Sequence, residues 1–306
     1  MMLKLSPLAS PSATREVLQA HGLATKKALG QHFLINDGVV SRICETAGLT
    51  DDDIVLEVGP GIGTLSIALL KRAGRVIAVE RDRDLPAVLA QTCGEYADRF
   101  TLIGKDALAL TQADLILSPN KFVSNLPYAV AATLVLDYFE RFESLESATV
   151  MVQAEVADRM CAQPKTKNYG AYTVKLSMFA VPAARFSVAP TNFFPPPRVE
   201  SSVLKLDRHR PLSATGEALT PDEIRATCMM ADAGFTNRRK TLSNSCKTYF
   251  SQATFPETSG VLAHLEELFA AAQIDPKRRG ETLSAAEFIV LGQGLWAMRQ
   301  QYRTVR

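Results

Sequence analysis

The chain of 306 residues has no apolar run close to the roughly 20 residues that a membrane-spanning helix needs. Its five cysteines are widely spaced and never form a CxxC pair, which argues against a disulfide framework and against a zinc site. An excess of one charge is also lacking, since 34 Lys and Arg residues against 32 Asp and Glu residues leave a net charge of +2. We therefore expect no membrane anchor and no metal, and only local basic clusters can mark a nucleic-acid surface.

The N-terminal residues 1–13 are rich in Ser, Pro and Ala and lack the apolar core and small-residue cleavage site of a secretory signal. We expect residues 1–25 to be a flexible lead-in with one short helix, capped by Thr14 and ending near Ala20. The composition, 47% hydrophobic and 22% charged, is typical of a globular protein. These features predict a cytoplasmic protein, and a monomer is the state that we expect.

Apolar runs typical of buried strands alternate with helical patterns in the first part of the chain, which predicts a parallel sheet with both faces covered. The last two runs follow each other without a helix and are separated by a Pro-rich stretch, so they fit an antiparallel addition at the sheet edge. The predicted strands are Ile54–Val58, Val76–Glu80, Phe100–Ile103, Lys121–Ser124, Ala148–Gln153, Ala171–Ala180 and Ser201–Leu206.

The pattern changes after the last predicted strand, because residues 207–220 are polar and contain a proline and a glycine. Beyond this linker the pattern is only helical. Thr220 followed by Pro221 and two acidic residues predicts a helix start, with a cap and charges that favour the N-terminus. The expected organisation is a sheet domain over residues 26–207 and a small all-α domain over residues 208–306. Its further helices are predicted over Asn237–Phe250, Gly260–Ala272 and Ser284–Met298.

Three glycines at Gly59, Gly61 and Gly63 follow the first predicted strand, where a helix is expected to begin. Their spacing is GxGxG rather than the GxGxxG of dinucleotide sites, and no Walker-type ending follows, which disfavours a triphosphate. Glu80 ends the second strand and can accept hydrogen bonds from both ribose hydroxyls, and Asp106 after the third can accept from an adenine amine. Such strand ends converge in open α/β sheets. The pattern predicts a site for S-adenosylmethionine, which has an adenosine end and a cationic sulfonium but no phosphate.

The fourth predicted strand leads into Asn125, Leu126, Pro127 and Tyr128. An adenine N6 amine is a poor nucleophile, and the Asn125 side-chain carbonyl and the Leu126 backbone carbonyl can hold its two N–H bonds. Pro127 restricts its predecessor to extended geometry, and Tyr128 supplies a ring for base stacking. Phe193 could stack on the other face of a base that has left its helix. This set predicts methylation of adenine N6, while a proline turn with a packing tyrosine remains the structural alternative.

Further blocks extend the pattern over most of the chain: KKALGQHFL, LEVGPGIGTLS, VIAVERD, GKDAL, VSNLPYAV, FFPPPRVESSVLKL, FTNRRKTLSNS and IDPKRRGETLS. From about Lys26 to the C-terminus the chain closely resembles the bacterial small-subunit (16S) rRNA adenine N6,N6-dimethyltransferases. The resemblance implies a Rossmann-like class I methyltransferase sheet of seven mostly parallel strands, and S-adenosylmethionine as the cofactor. It also implies dimethylation of two adjacent adenines near the 3′ end of 16S rRNA, within the small ribosomal subunit or its precursor. By position, it places cofactor contacts at His32, Leu34, Gly59, Glu80, Asp106 and Asn125.

One departure concerns His32, because the family usually has Asn at this position. A contact made by the backbone of residue 32 would survive the change, whereas a side-chain contact would alter cofactor affinity. The helical domain would bind the RNA. The candidate contacts lie at a predicted helix start and are Arg238, Arg239 and Lys240. A solvated helix face is the alternative for these three residues.

Three other functions remain open for the whole chain. The antibiotic-resistance methyltransferases of large-subunit (23S) rRNA share the fold and the amine-holding motif, but the GQHFL, NRRKTL and IDPKRRGETLS blocks favour the small-subunit enzyme. A non-catalytic ribosome assembly factor could keep the same fold, although the complete motif and cofactor set speak against it. A DNA adenine methyltransferase typically has two prolines in the amine-holding motif, where this chain has Leu126 and Pro127.

Overall fold

The computed structural model describes residues 4–23, 31–252 and 260–303. Residues 26–30, which open the first of the sequence blocks, lie outside the described residues. The chain divides into a sheet unit, Met1–Ala157 with Pro182–Arg208, and a helical unit, Asp158–Val181 with His209–Arg306. The second boundary lies within one residue of the expected one. Residues 158–181, however, were expected in the sheet domain and instead cluster with the helical unit.

A seven-stranded sheet forms the centre of the sheet unit. The described strands are β1 Phe33–Leu34, β2 Ile54–Val58, β3 Arg75–Glu80, β4 Phe100–Gly104, β5 Lys121–Asn125, β6 Ser147–Gln153, β7 Ala180–Val188, β8 Phe193–Phe194 and β9 Ser201–Arg208. The large sheet has the order β4-β3-β2-β5-β6-β9-β7, and a small second sheet pairs β1 with β8. The pairs among the first five strands of the large sheet are parallel, and β9 runs antiparallel to β6. The expected sheet of seven mostly parallel strands is thus confirmed.

Helices cover both faces of this sheet, as two neighbouring residues of β5 show. The Val123 side chain belongs to one buried cluster with Val40 and Ile43, while the Phe122 ring lies 5.1 Å from the Tyr138 ring. Because successive strand residues point to opposite faces, the two clusters lie on opposite sides of the sheet. The helices of the chain are α1 Pro11–Ala20, α2 Asp37–Ala47, α3 Thr64–Leu70, α4 Leu85–Thr92, α5 Ala131–Arg141, α6 Ala154–Met160, α7 Ala171–Ser177, α8 Pro221–Phe235, α9 Leu242–Gln252, α10 Leu265–Ala271 and α11 Ala285–Arg303.

The expectation of a strand over Ala171–Ala180 is wrong. The first seven residues form α7, and the strand β7 begins only at Ala180. A short apolar run cannot be assigned to strand or helix by periodicity alone, and here packing decides. Val174 and Tyr169 are buried in the core of the helical unit, where the Tyr169 hydroxyl donates to the Leu283 carbonyl at 2.8 Å.

The N-terminal segment is packed rather than a flexible lead-in, which corrects the expectation for residues 1–25 within the part described, residues 4–23. Ser10, not Thr14, caps α1 by accepting a hydrogen bond from the Ala13 N–H at 3.2 Å. Leu8 and Leu18 are buried in the core of the sheet unit. The Asp37 carboxylate accepts the backbone N–H groups of residues 5 and 6 at 3.0 and 2.8 Å. Apolar burial and this carboxylate together hold the segment.

The helical unit confirms the expected all-α region and adds α7 to it. Thr220 and Glu223 form a capping box at the start of α8. Helices α8 and α11 approach closely, since a Cβ atom at Gly292 would lie 2.1 Å from Thr227 Oγ1. The helix expected over Asn237–Phe250 begins only at Leu242. Within the described ranges, no helix is long and apolar enough to cross a membrane.

We expect an Asp37→Ala variant to loosen the N-terminal segment. Two hydrogen bonds to a charged acceptor are lost, which should lower the free energy of opening by about 1–3 kcal/mol. Trypsin should then cleave after Arg15, on the exposed side of α1, about 5- to 150-fold faster, since cleavage of a rapidly opening segment follows the opening equilibrium. Asp52→Ala, at an exposed carboxylate of the same unit, is the control. Equal cleavage of both variants and the wild type would contradict the role given to Asp37.

Candidate active site

A cleft of about 510 Å³ lies at the carboxyl ends of strands β2 to β6, entirely within the sheet unit. It brings together residues that are far apart in sequence, as expected for strand ends in an open α/β sheet. All the residues that the sequence predicted for cofactor and amine binding line it, except Phe193. These are His32, Leu34, Gly59, Gly61, Glu80, Asp106, Asn125, Leu126, Pro127 and Tyr128.

The glycine loop needs its glycines for backbone conformation and for space. Gly59, Gly61 and Gly63 have φ angles of 68°, 60° and 91°, a region that side chains strongly disfavour. A Cβ atom at Gly61 would also lie 3.1 Å from the Phe33 ring, and one at Gly59 would lie 3.5 Å from the Pro127 ring. The loop therefore lies beside the proline of the predicted amine-holding motif, and Gly61 is the position where space is tight.

Two carboxylates lie at the next strand ends. Glu80 is 8% exposed, and burial raises the pKa of its carboxyl, an effect that backbone N–H groups of Asp82, Arg81 and Gly61 oppose. Its Oε1 accepts from the Asp82 N–H at 2.8 Å. Asp106 is more exposed, and one of its oxygens accepts from the Leu108 N–H at 3.0 Å. The other Asp106 oxygen lies 3.5 Å from the Arg81 guanidinium. Because each carboxylate oxygen can accept more than one hydrogen bond, both side chains can still accept from hydroxyl or amine groups of a ligand.

Glu57 is a cleft residue that the sequence analysis did not single out. Its side chain is 1% exposed, and burial raises the pKa of its carboxyl to about 8. Its Oε2 atom has no hydrogen-bond partner among the described residues. A buried carboxylate with one oxygen unpartnered is costly unless a cationic or donor group of a ligand meets it. The available signal was an acidic residue inside the otherwise apolar strand β2.

The orientation of the Asn125 side chain follows from one hydrogen bond. Its Nδ2 donates to the His32 backbone carbonyl at 3.1 Å, and because a carbonyl can only accept, the amide nitrogen must face it. Asn125 Oδ1 and the Leu126 backbone carbonyl receive no hydrogen bond from the part of the chain that the structure describes. Two oxygen acceptors on consecutive residues are thus available at the cleft, as an amine with two N–H bonds requires.

Tyr128 completes the motif with a half-buried ring. Its hydroxyl shares a 2.7 Å hydrogen bond with Ser201 Oγ. The ring stacks with the His32 imidazole, with 5.8 Å between ring centroids and 25° between planes. Burial raises the pKa of the Tyr128 hydroxyl, which therefore stays neutral at physiological pH. The residue offers a neutral aromatic surface rather than a charge.

The predicted stacking role of Phe193 is contradicted by its position. Its side chain is 2% exposed in the core of the sheet unit, and it pairs with Leu34 across β1 and β8. The neighbouring Phe194 is half-buried and carries the Arg15 guanidinium 5.1 Å above its ring. Alternation along β8 explains the difference, because one of two adjacent phenylalanines must face the core.

The three basic residues predicted to bind RNA belong to the helical unit and differ from one another. Arg238 forms an ion pair with Glu281 at 2.8 Å and donates to the backbone carbonyls of Tyr169 and Thr166. Arg239 and Lys240 are exposed, and no ion pair to a described residue involves them. All three lie in the turn before α9 rather than on a helix face. Arg238 therefore stabilises the helical unit, whereas the side chains of Arg239 and Lys240 are accessible to a binding partner.

The doubly covered sheet, the glycine loop and the acidic strand ends define a class I S-adenosylmethionine-dependent methyltransferase. Comparison with known sequences gives the family. The chain belongs to the ribosomal RNA adenine dimethylases, because the model of that family matches residues 22–289. It is 38% identical over 303 residues to ribosomal RNA small subunit methyltransferase A of Enterococcus faecalis, covering 96% of this chain and 98% of the relative. The protein of the same name from Rhodococcus erythropolis is 40% identical over 294 residues, covering 94% and 93%.

Solved structures agree on the fold. A dimethyladenosine transferase from Plasmodium falciparum superposes with a TM-score of 0.70 at 22% identity, over 85% of this chain and 96% of that one. The 23S rRNA methyltransferase ErmE gives a TM-score of 0.61 at 24% identity, over 86% and 99%. At these identities the likeness concerns the fold alone. The family resemblance seen in the sequence blocks is confirmed by the family match and the sequence relatives.

We expect Glu57 to couple cofactor binding to protons. With a pKa of about 8 the carboxyl is mostly neutral at pH 7, and a bound cationic group favours its ionised form. Binding at pH 7 should therefore release a proton, and affinity should rise by up to about tenfold per pH unit below pH 8. Glu57→Gln should abolish this release and weaken binding about tenfold at pH 8.

Calorimetric titration with S-adenosylmethionine in two buffers of different ionisation enthalpy measures both quantities. Comparison with the Gln variant cancels the titration of the ligand's own amine. Glu95→Gln, at an exposed position of the same unit, is the control. Proton release that persists unchanged in Glu57→Gln would show that another group titrates.

Proposed function

We propose that this protein dimethylates the N6 amines of two adjacent adenines near the 3′ end of small-subunit (16S) rRNA, with S-adenosylmethionine as methyl donor. The observation that carries the proposal is the pair of acceptors that no described residue fills, Asn125 Oδ1 and the Leu126 carbonyl, on two residues that line the cleft together with Tyr128. The family and the named relatives support the substrate class. The sequence blocks outside the cleft support the small subunit.

The residues present fit the cofactor. Glu80 can accept from ribose hydroxyls, Asp106 from an adenine amine, and Glu57 can meet an ammonium group. The glycine loop leaves backbone rather than side chains against the ligand. When bound, the sulfonium supplies a methyl group whose bond to sulfur breaks as the bond to nitrogen forms.

The protein's own contribution is to hold the amine. The adenine N6 lone pair is delocalised into the ring, and acceptors on both N–H bonds favour the tetrahedral nitrogen on which that lone pair is available. Pro127 lies beside Gly59, so the amine-holding turn adjoins the cofactor loop. Tyr128 supports the base by stacking. Alignment carries most of the effect, and the proton that the nitrogen loses can leave to solvent.

Mapping the methylated products tests which RNA, and which adenines in it, the protein modifies. The protein is incubated with S-adenosylmethionine and unmethylated small subunits, and in parallel with large subunits, and methylated adenines are mapped by mass. We expect N6,N6-dimethyladenosine at two adjacent positions near the 3′ end of 16S rRNA. Methylation of the large subunit alone would favour the antibiotic-resistance type instead. We further propose that the protein acts as a cytoplasmic monomer without a metal, which sedimentation and activity in chelator would test.

We expect Asn125→Ala to lower the rate of methyl transfer to small subunits by about 100-fold, because a preorganised contact to the reacting group is lost. Ser124→Ala is the control next to it, since this buried hydroxyl only ties β5 to the Val58 backbone at 2.5 Å. Transfer of a labelled methyl group measures the rates. An Asn125→Ala protein that keeps near wild-type turnover would remove the amide from the mechanism.

We propose that Arg239 and Lys240 contact rRNA phosphates, and that Arg238 holds their turn in place. Replacing Arg239 and Lys240 by Ala should weaken binding to small subunits and reduce the slope of log affinity against log salt by about 1.5, with cofactor affinity unchanged. Arg238→Ala should instead lower the stability of the helical unit, by about 1–2 kcal/mol.

Binding is measured by filter retention at several salt concentrations, and stability by thermal unfolding. Arg225→Ala is the control, because this exposed arginine of the same unit forms an ion pair with its helix neighbour Asp222. A salt slope that stays at the wild-type value in the double variant would exclude these two residues from the RNA interface.

A further inference from the structure

The His32 side chain makes two contacts that cofactor binding does not explain. Its Nδ1 lies 2.7 Å from the Pro195 carbonyl, and since a carbonyl only accepts, Nδ1 must carry the hydrogen. Its ring stacks with Tyr128. The backbone carbonyl of His32, in contrast, accepts from Asn125. The backbone and the side chain of residue 32 therefore serve different neighbours.

The Tyr128 side chain is restrained by a hydrogen bond at its hydroxyl and by the His32 ring beside it. The hydrogen bond to Ser201 fixes the position of the hydroxyl but does not itself prevent the ring from turning about its long axis. The imidazole opposes this turning because it lies nearly parallel to the ring, with 5.8 Å between the ring centroids. A stacked base would then use the face of Tyr128 that points away from His32. Phe193, which was expected to provide the second aromatic surface, is buried in the core.

We propose that His32 is a positioning residue for the target adenine. Its imidazole stacks on Tyr128, which holds the ring for the base, and hydrogen-bonds the Pro195 carbonyl, which ties that segment to the site. The inference rests on the proposed function, since the stacked base is the adenine that is methylated. A ring already held in its binding orientation loses less conformational freedom when the base stacks on it. The imidazole thus lowers the KM for RNA and leaves the Asn125 amide, which holds the reacting amine, unchanged.

Three variants separate the contacts of the side chain. His32→Phe keeps a ring for stacking and loses the hydrogen bond, His32→Asn keeps a donor and loses the ring, and His32→Ala loses both. His21→Ala, at a histidine of the same unit whose ring hydrogen-bonds the Gln91 side chain, is the control. We expect the KM for unmethylated small subunits to rise about three- to tenfold in His32→Ala and His32→Asn, and less than threefold in His32→Phe. We expect kcat and S-adenosylmethionine affinity to stay within twofold in all three.

Hydrogen exchange of the free protein tests the tie to Pro195 without RNA. Peptides spanning residues 190–202 should exchange at least threefold faster in His32→Phe and His32→Ala than in the wild type and in His21→Ala. Unchanged exchange in both variants, or a KM within twofold of wild type in His32→Ala, would overturn the inference. A loss of cofactor affinity above fivefold would overturn it too, because the imidazole would then be a cofactor ligand. If the wild type transfers no methyl group to small subunits, the proposed function fails, and the exchange measurement still decides the tie.

Discussion

A single hydrogen bond, from Asn125 Nδ2 to the His32 carbonyl, joins the end of the central strand β5 to the segment that leads into β1. It orients the amide, so that Oδ1 and the next carbonyl are left as a matched pair of acceptors. It also fixes where residue 32 lies, and through its side chain the Tyr128 ring and the Pro195 segment. Without this bond the amide could turn by 180°. Its NH2 group would then face the N–H groups of the adenine amine, and two donors cannot form a hydrogen bond with each other.

The parallel core and the site at its edge were predictable because local rules and the global fold agree there. All five strands of the parallel core, β2 to β6, begin and end within one residue of the expected bounds, since each is a mostly apolar run between turn residues. Their carboxyl ends meet by topology, so Gly59, Glu80, Asp106 and Asn125 line one cleft as expected. The order of residues along the chain was sufficient for this part of the site.

The remaining features depend on contacts that sequence patterns do not encode. The run at residues 171–180 had the composition of either element, and burial against distant helices decided for α7. Phe193 and Phe194 were equivalent in sequence, and pairing with β1 decided which one entered the core. The two basic triplets, residues 238–240 and 277–279, also gave no hint in sequence that each contains a structural arginine. Arg278 donates to Glu287 and to the Thr282 carbonyl, much as Arg238 is held by Glu281.

The packed N-terminal segment extends the folding unit beyond the region of family similarity. The family match begins at residue 22, yet residues before it belong to the core of the sheet unit. A chain shortened to the region of family similarity would uncover the apolar surface beneath Leu8 and Leu18 and leave the Asp37 carboxylate without its two N–H donors. Exposed apolar surface of this kind promotes association between molecules. The shortened protein would keep every residue of the cleft and would still be the less soluble one.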